Sequence, residues 1–139
     1  MTSPLRILCL SAECAPLAKV GGLGDMVGSL PKALRALGHD VRVALPHYST
    51  IDHGRFPARP QEAVHFTVAS RVGNVWATAH EVTHDGVPIY LISGPPIPPR
   101  PRLYSGVPED SFKFVFFSLA ALNLCVALDW QPDVVHAHD

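Results

Sequence analysis

The run from Lys19 to Asp25, Lys-Val-Gly-Gly-Leu-Gly-Asp, carries the residue types of a phosphate-binding loop. It follows a short apolar segment over 5–10 and precedes a helical pattern that begins near Asp25. Glycines let a backbone approach a ligand, a helix N-terminus offers free N–H groups, and a lysine adds a positive charge. The spacing matches neither the dinucleotide fingerprint nor the P-loop. It predicts a phosphate site of another kind, with a solvated lysine, a tight turn and a helix-capping Asp25 as the ordinary alternatives.

The final run, His136-Ala137-His138-Asp139, is a second candidate, because it stands at the end of a predicted strand. A histidine there can donate a hydrogen bond to a sugar hydroxyl. We expect His136 and His138 to point to opposite faces of the strand, so that they share a metal ion only if the strand has already ended. The spacing is not that of a zinc site, and no metal is predicted.

Periodicity indicates the elements that position these residues. Apolar side chains recur at helical spacing over 25–37, with a bend expected at Pro31 and a left-handed residue at Gly38. A strand over 40–46 follows, which completes a right-handed parallel βαβ unit. Glu13, just after the first strand, can orient the loop or the ligand, or simply be solvated.

The middle of the chain predicts antiparallel structure and the end returns to α/β. Segments 63–70 and 74–83 are expected to form a hairpin or meander, followed by a strand over 87–92. A stiff proline-rich loop spans 94–101. A mostly buried helix is expected over about 110–128, with the core containing Phe112, Phe114, Phe116 and Phe117.

The two candidate segments follow strands of one parallel sheet. Ligands of open α/β sheets bind outside the carboxyl ends of the strands. We therefore expect Lys19 and His138 to face one crevice.

Composition limits the class of protein. The 139 residues amount to about one domain, and a net charge of −1 gives no basic patch for nucleic acid. Charges break the apolar stretches within about ten residues, so no membrane span is expected. Three cysteines, an odd number in apolar segments, favour buried thiols and a reducing cytoplasmic location.

Taken together, several motifs resemble the bacterial glycogen synthase and plant starch synthase family. They occur in order along the chain: Ser11-Ala12-Glu13, Ala15-Pro16, the run 19–25, Leu30-Pro31-Lys32-Ala33-Leu34, Gly38-His39-Asp40-Val41, Leu45-Pro46 and the run 132–139. The resemblance implies a Rossmann-like α/β fold, with residues 1–139 forming an incomplete amino-terminal lobe of a GT-B glycosyltransferase whose carboxyl-terminal lobe is absent.

The resemblance also implies an activity and site residues. The family moves glucose from ADP-glucose, or sometimes UDP-glucose, to the non-reducing end of an α-1,4-glucan, with retention and without a metal or other cofactor. By this resemblance Lys19 contacts the donor phosphates, and Gly21 and Gly22 shape their pocket. Asp25 lies near donor and acceptor, and His138 lies beside the transferred glucose.

One departure and two alternatives remain at this point. The family's acidic residue near the second helix has an uncertain register, and either Glu109 or Asp110 could match it. The chain alone is expected to be inactive and poorly soluble. The alternatives are a non-catalytic module that binds a nucleotide sugar or glucan, and another GT-B nucleotide-sugar transferase.

Overall fold

The computed structural model describes residues 3–139, which form a mixed β-sheet with a long helix on each face. The elements in chain order are β1 (Arg6–Leu10), α1 (Gly22–Ala36), β2 (Asp40–Pro46), β3 (Val64–Ser70), β4 (Gly73–His84), β5 (Val87–Ser93), α2 (Glu109–Ala127) and β6 (Val134–Ala137), with a short 3₁₀ turn at Pro60–Glu62. Within the described residues, the six strands lie in the order β3-β4-β5-β2-β1-β6.

The sheet confirms both predicted patterns. Strands β5, β2, β1 and β6 run parallel to one another, as expected for a Rossmann-like fold. The predicted meander is β3-β4-β5, whose antiparallel strands extend the sheet at one edge. The predicted parallel sheet is therefore the parallel part of a mixed one.

Each strand supplies two faces of the core, because successive side chains point to opposite sides. In β1, Ile7 and Cys9 belong to the buried cluster on the α1 side. Leu8 and Leu10 belong to the other cluster, which includes Phe116 and Phe117 of α2. The three cysteines are free and buried, as predicted.

Helix α1 begins earlier than the sequence pattern suggested. Its N-cap is Gly21, with extended backbone and no side-chain cap, so the predicted capping role of Asp25 is wrong. Asp25 lies within the first turn, where its negative charge interacts favourably with the helix dipole. Pro31 is buried inside the helix without ending it, and Gly38 adopts φ +96°, as predicted.

Helix α2 is less buried than predicted. Its inward face includes Phe116, Phe117 and Leu124, whereas Phe112 is 70% exposed and is not in the core. Four further apolar side chains share that exposed face at intervals of three and four residues: Val115, Leu119, Leu122 and Val126.

By length and composition alone, α2 is long and apolar enough to cross a membrane. Its mean hydropathy is 1.5, and no charged residue occurs between Lys113 and Asp129, so the expectation that charges interrupt every apolar stretch was wrong. In the fold, 39% of this helical window is buried. The core helices of soluble proteins pass the same test, so the finding is weak evidence for a membrane span.

Candidate functional site

The loop after β1 is held from inside by Glu13. This carboxylate is 5% exposed. Its Oε1 accepts hydrogen bonds from the amides of Val20 and Gly21, at 2.7 and 2.9 Å. Its Oε2 accepts one from the Tyr104 hydroxyl at 2.6 Å. A single buried side chain thus fixes the backbone immediately before α1.

The electrostatics of Glu13 follow from these contacts. Burial by itself would raise the carboxyl pKa, but the hydrogen bonds from Tyr104 and from the amides of Gly21 and Val20 outweigh it and lower the pKa. Hydrogen bonds to a charged carboxylate favour that form. Glu13 is therefore an anion at neutral pH, and the loop is built around its charge.

Lys19 and Asp25 form an ion pair across the loop, with Nζ 2.9 Å from Oδ1. Their side chains are 48% and 59% exposed. Exposed pairs of this kind contribute about 0–1 kcal/mol to stability, because water screens them and the side chains lose entropy. The ammonium of Lys19 therefore lies beside Asp25 and remains accessible to an anion.

The glycines of the loop fall into two classes. A Cβ on Gly24 would lie 2.9 Å from Cγ of Lys19, and one on Gly28 would lie 2.6 Å from the carbonyl oxygen of Ala15. Close packing therefore explains why both positions hold glycine. A Cβ on Gly21 or Gly22 would meet nothing within 4 Å, and neither residue has a positive φ. Internal packing therefore gives no reason for glycine at 21 and 22, whereas close approach of an outside ligand would.

The first turn of α1 adds donors to the same surface. Glu13 accepts hydrogen bonds from the amides of Val20 and Gly21, and the amide of Gly24 donates to the carbonyl oxygen of Gly21. For the amides of Gly22 and Leu23, residues 3–139 supply no acceptor. Helix N-termini with such amides bind anions readily.

His138 lies at the end of β6, where its amide donates to the carbonyl of Leu10 at 2.9 Å. It lines a cavity of about 310 Å³ together with Ser11, Tyr104, Phe114 and Phe117. Its Nε2 is buried and finds no hydrogen-bond partner in the part of the chain that the structure describes. Burial, and then the proximity of His136, lower the pKa of His138, so the ring is neutral at neutral pH.

The expected orientation of the two terminal histidines was wrong. Their ring centroids are 4.1 Å apart and their planes are 32° from parallel. The reason is the strand itself, because residues i and i+2 share a face. His136 also faces Cys9, its register partner on β1. Cys9, His136 and His138 offer three ligand atoms that all lie within 4.8 Å of one another.

Lys19 and His138 occupy neighbouring concave surfaces. Lys19 lines a cavity of about 620 Å³ with Pro16, Thr50 and Arg102. Tyr104 borders this cavity and also the one that contains His138. In place of the expected common crevice, two cavities adjoin each other and share Tyr104, whose hydroxyl donates a hydrogen bond to Glu13.

Residues 6–139 match the sequence profile described as the starch synthase catalytic domain. The chain belongs to this family. The resemblance found in the motifs is confirmed, with a Rossmann-like fold of the GT-B type for this part of the family.

Relatives of the starch synthase family cover nearly all of this chain. It is 40% identical to a glycogen synthase of Moorella thermoacetica over 100% of this chain and 28% of that protein. It is 38% identical to a glycogen synthase of Photobacterium profundum over 98% of this chain and 27% of the relative. The chain thus spans about 28% of the length of the curated relatives that it matches.

A solved structure gives the same result. The catalytic domain of starch synthase IV from Arabidopsis thaliana, bound to ADP and acarbose, superposes with a TM-score of 0.83 and 33% identity. The match covers 99% of this chain and 28% of that structure. The similarity therefore extends through the loop after β1 and the end of β6.

Neither acidic residue at the start of α2, Glu109 or Asp110, lines the cavity of Lys19 or that of His138. Asp110 accepts hydrogen bonds from the amides of Ser105 and Gly106 and pairs with the buried Lys113 at 3.0 Å. Glu109 pairs with Arg100 at 3.3 Å. Asp110 thus fixes the loop that carries Tyr104 against α2.

The sequence pointed to one of the two residues that organise this loop and missed the other. Glu13 is expected to orient the loop or the ligand, or to be solvated, and its buried carboxylate with two loop amides bound confirms the loop-orienting role. No local sequence pattern indicates a role for Tyr104, because it lies 91 residues from Glu13 in a segment without periodicity. A carboxylate flanked by buried residues at a strand end was the available hint for Glu13.

Proposed function

We propose that the protein containing this chain transfers glucose from ADP-glucose to the non-reducing 4-hydroxyl of an α-1,4-glucan, with retention of configuration. The supporting comparisons are the family match over 6–139 and the relatives named glycogen synthase. The structural neighbour was bound to ADP and acarbose, a nucleotide and an oligosaccharide analogue. The observation that carries the proposal is the half-exposed Lys19 beside two exposed glycines that internal packing does not require.

Lys19 and the first turn of α1 would bind the diphosphate. As the bond between glucose and the nucleotide breaks, negative charge accumulates on the leaving phosphate oxygens. A fixed ammonium and oriented amides stabilise that charge more in the transition state than in the ground state. Gly21 and Gly22 allow the phosphate to lie against the backbone. Glu13 holds the loop in this geometry before the donor arrives.

Asp25 and His138 would act near the sugar. Asp25 contacts the Lys19 ammonium at 2.9 Å and would lie near donor and acceptor. His138 offers a neutral ring whose buried nitrogen lacks an internal partner, which suits a hydrogen bond to a glucose hydroxyl. The proposed chemistry needs no metal and no cofactor besides the donor substrate.

The rest of the site is proposed to lie outside residues 1–139. In the family, a second lobe contributes further donor contacts, so these residues alone should not transfer glucose. A cytoplasmic location, with a nucleotide sugar and a glucan as partners and neither nucleic acid nor a membrane, completes the proposal.

The test is transfer of radiolabelled glucose from ADP-glucose to glycogen by the whole protein and its Lys19→Ala variant. We expect kcat to fall by about 10²–10³-fold, the usual effect of removing one charge-stabilising group. Lys32→Ala is the matched control, because Lys32 is also an exposed α1-region lysine with a carboxylate partner, Asp85 at 3.5 Å. Equal loss in both variants, or none in either, would contradict the proposal.

A non-catalytic binding module is the second candidate, favoured by the fact that the whole Lys19 loop is built by this chain. Calorimetric titration of ADP-glucose distinguishes the two functions. Tight binding by a folded protein that never transfers glucose would favour the module. Parallel assays with UDP-glucose would determine the preferred donor.

A further inference from the structure

Cys9, His136 and His138 form a compact cluster on one face of the sheet. Cys9 on β1 and His136 on β6 are register partners of adjacent parallel strands. His138 follows two residues later, and its ring lies 4.1 Å from that of His136. One sulfur and two imidazole nitrogens lie within 4.8 Å of one another.

The polar atoms of this cluster lack the partners that such atoms usually have. The thiols of Cys14 and Cys125 lie within hydrogen-bond distance of backbone carbonyls, whereas no such acceptor is found for Cys9 within residues 3–139. Nε2 of His138 is buried and unpartnered in the same range. Buried polar groups are normally hydrogen-bonded, so an exception calls for an explanation.

The protonation state of His138 suits a metal ligand. Burial and the neighbouring ring lower the pKa of His138, which leaves its imidazole neutral. Burial raises the pKa of the Cys9 thiol to about 11, so this group keeps its proton until a cation displaces it.

We propose that Cys9, His136 and His138 bind one divalent cation of borderline softness, such as Zn²⁺, with water as the fourth ligand. Thiolate and imidazole are the ligands that such cations prefer. Zinc bonds of about 2.3 Å to sulfur and 2.0–2.1 Å to nitrogen place tetrahedral ligand atoms about 3.3–3.6 Å apart. The ligand atoms lie within 4.8 Å of one another, so side-chain rotations that move them by roughly 1 Å bring them to metal-binding distances.

Binding has a defined proton balance. The Cys9 S–H bond breaks, a metal–sulfur bond forms, and the proton passes to solvent. No oxidant or reductant takes part. Since the proposed function places His138 beside the transferred glucose, a bound cation would also inhibit transfer, and this consequence alone rests on the proposed function.

The test uses the purified whole protein, treated with a chelator and titrated with Co²⁺ as a spectroscopic probe. We expect saturable binding that produces a thiolate-to-cobalt charge-transfer band, and its loss on competition with Zn²⁺. Cys9→Ser should abolish the band. His136→Asn should weaken binding by about tenfold or more, because it removes a ligand without disturbing the core. Cys14→Ser, which changes a buried thiol outside the cluster, should leave the band intact.

Other outcomes would overturn the site. A band that persists in Cys9→Ser, or is lost instead in Cys14→Ser, would place the thiolate ligand elsewhere. The protein has another histidine cluster, in which Nε2 of His47 lies 2.8 Å from Nε2 of His53. Binding that is lost in His53→Ala but retained in His136→Asn would assign the cation to that cluster. No saturable binding by the folded wild-type protein would also refute the proposal.

Discussion

The loop after β1 and the end of β6 lie at the same edge of the sheet but differ in how their polar groups are satisfied. In the loop, the buried Glu13 receives three hydrogen bonds, and Lys19 is paired with Asp25. At the end of β6, the buried Nε2 of His138 has no partner within the described residues. The loop is organised by this chain alone, whereas the strand end has binding capacity that the described residues do not use.

This difference separates the parts of the site that stabilise the fold from those that face a ligand. Removing Glu13 would leave two partly buried amides and a hydroxyl without an acceptor, so its effect should be on folding. Lys19, Gly21 and Gly22 are exposed and replaceable as far as packing is concerned. Their effects should be on ligand binding and turnover.

The largest expected effect on stability is that of Glu13→Ala. The substitution leaves the amides of Val20 and Gly21 and the Tyr104 hydroxyl without their acceptor. Unsatisfied buried groups cost about 1–3 kcal/mol each, and these three are only partly buried and can turn toward water, so we expect a loss of about 2–4 kcal/mol. Urea unfolding measures it. The control is Glu62→Ala, an exposed carboxylate paired with Arg59, which should cost under about 1 kcal/mol.

The glycines give a matched pair of substitutions. Gly28→Ala places a Cβ 2.6 Å from the carbonyl oxygen of Ala15, and such overpacking costs about 1–3 kcal/mol. Gly21→Ala meets nothing within 4 Å, so only the weaker N-cap preference of alanine applies, and the unfolding free energy should fall by less than about 1 kcal/mol. Thermal unfolding distinguishes them. Equal destabilisation would show that Gly21 has a structural role after all.

The pH dependence of stability tests the charge of Glu13. A carboxyl whose pKa is lowered by folding contributes stability above its ordinary value of 4.5, and this stability is lost as the pH falls through the folded pKa. Wild type should therefore lose more unfolding free energy than Glu13→Gln between pH 7 and 3, so that the two proteins converge in acid. Parallel curves would mean that the charge of Glu13 does not matter.

The sequence predicted the elements whose signals are local. The βαβ unit, the meander and the left-handed Gly38 were confirmed because periodicity and turn chemistry depend on adjacent residues. The start of α1 was placed too late, since an unremarkable Gly21 is the cap and Asp25 is not. The exposed row on α2 was expected in the core, because an all-apolar helix does not reveal which face the sheet covers.

The candidate site shows the same limit. The family motifs identified Lys19, Gly21, Gly22, Asp25 and His138, and their proposed roles remain predictions. The contact between Glu13 and Tyr104 spans 91 residues and could not be derived from either local sequence. The pairing of Cys9 with His136 needed the strand order and register, which only the fold provides.

The central claim is that the loop after β1 is preorganised by Glu13 and presents Lys19 to a nucleotide diphosphate. The most direct measurement is calorimetric titration of ADP onto the whole protein and its Lys19→Ala variant, with urea unfolding of both. We expect an ADP Kd about 10–100-fold higher in Lys19→Ala, the cost of one charge-assisted contact, and an unfolding free energy within about 1 kcal/mol of wild type. An unchanged ADP affinity, or a variant that loses its fold, would contradict it.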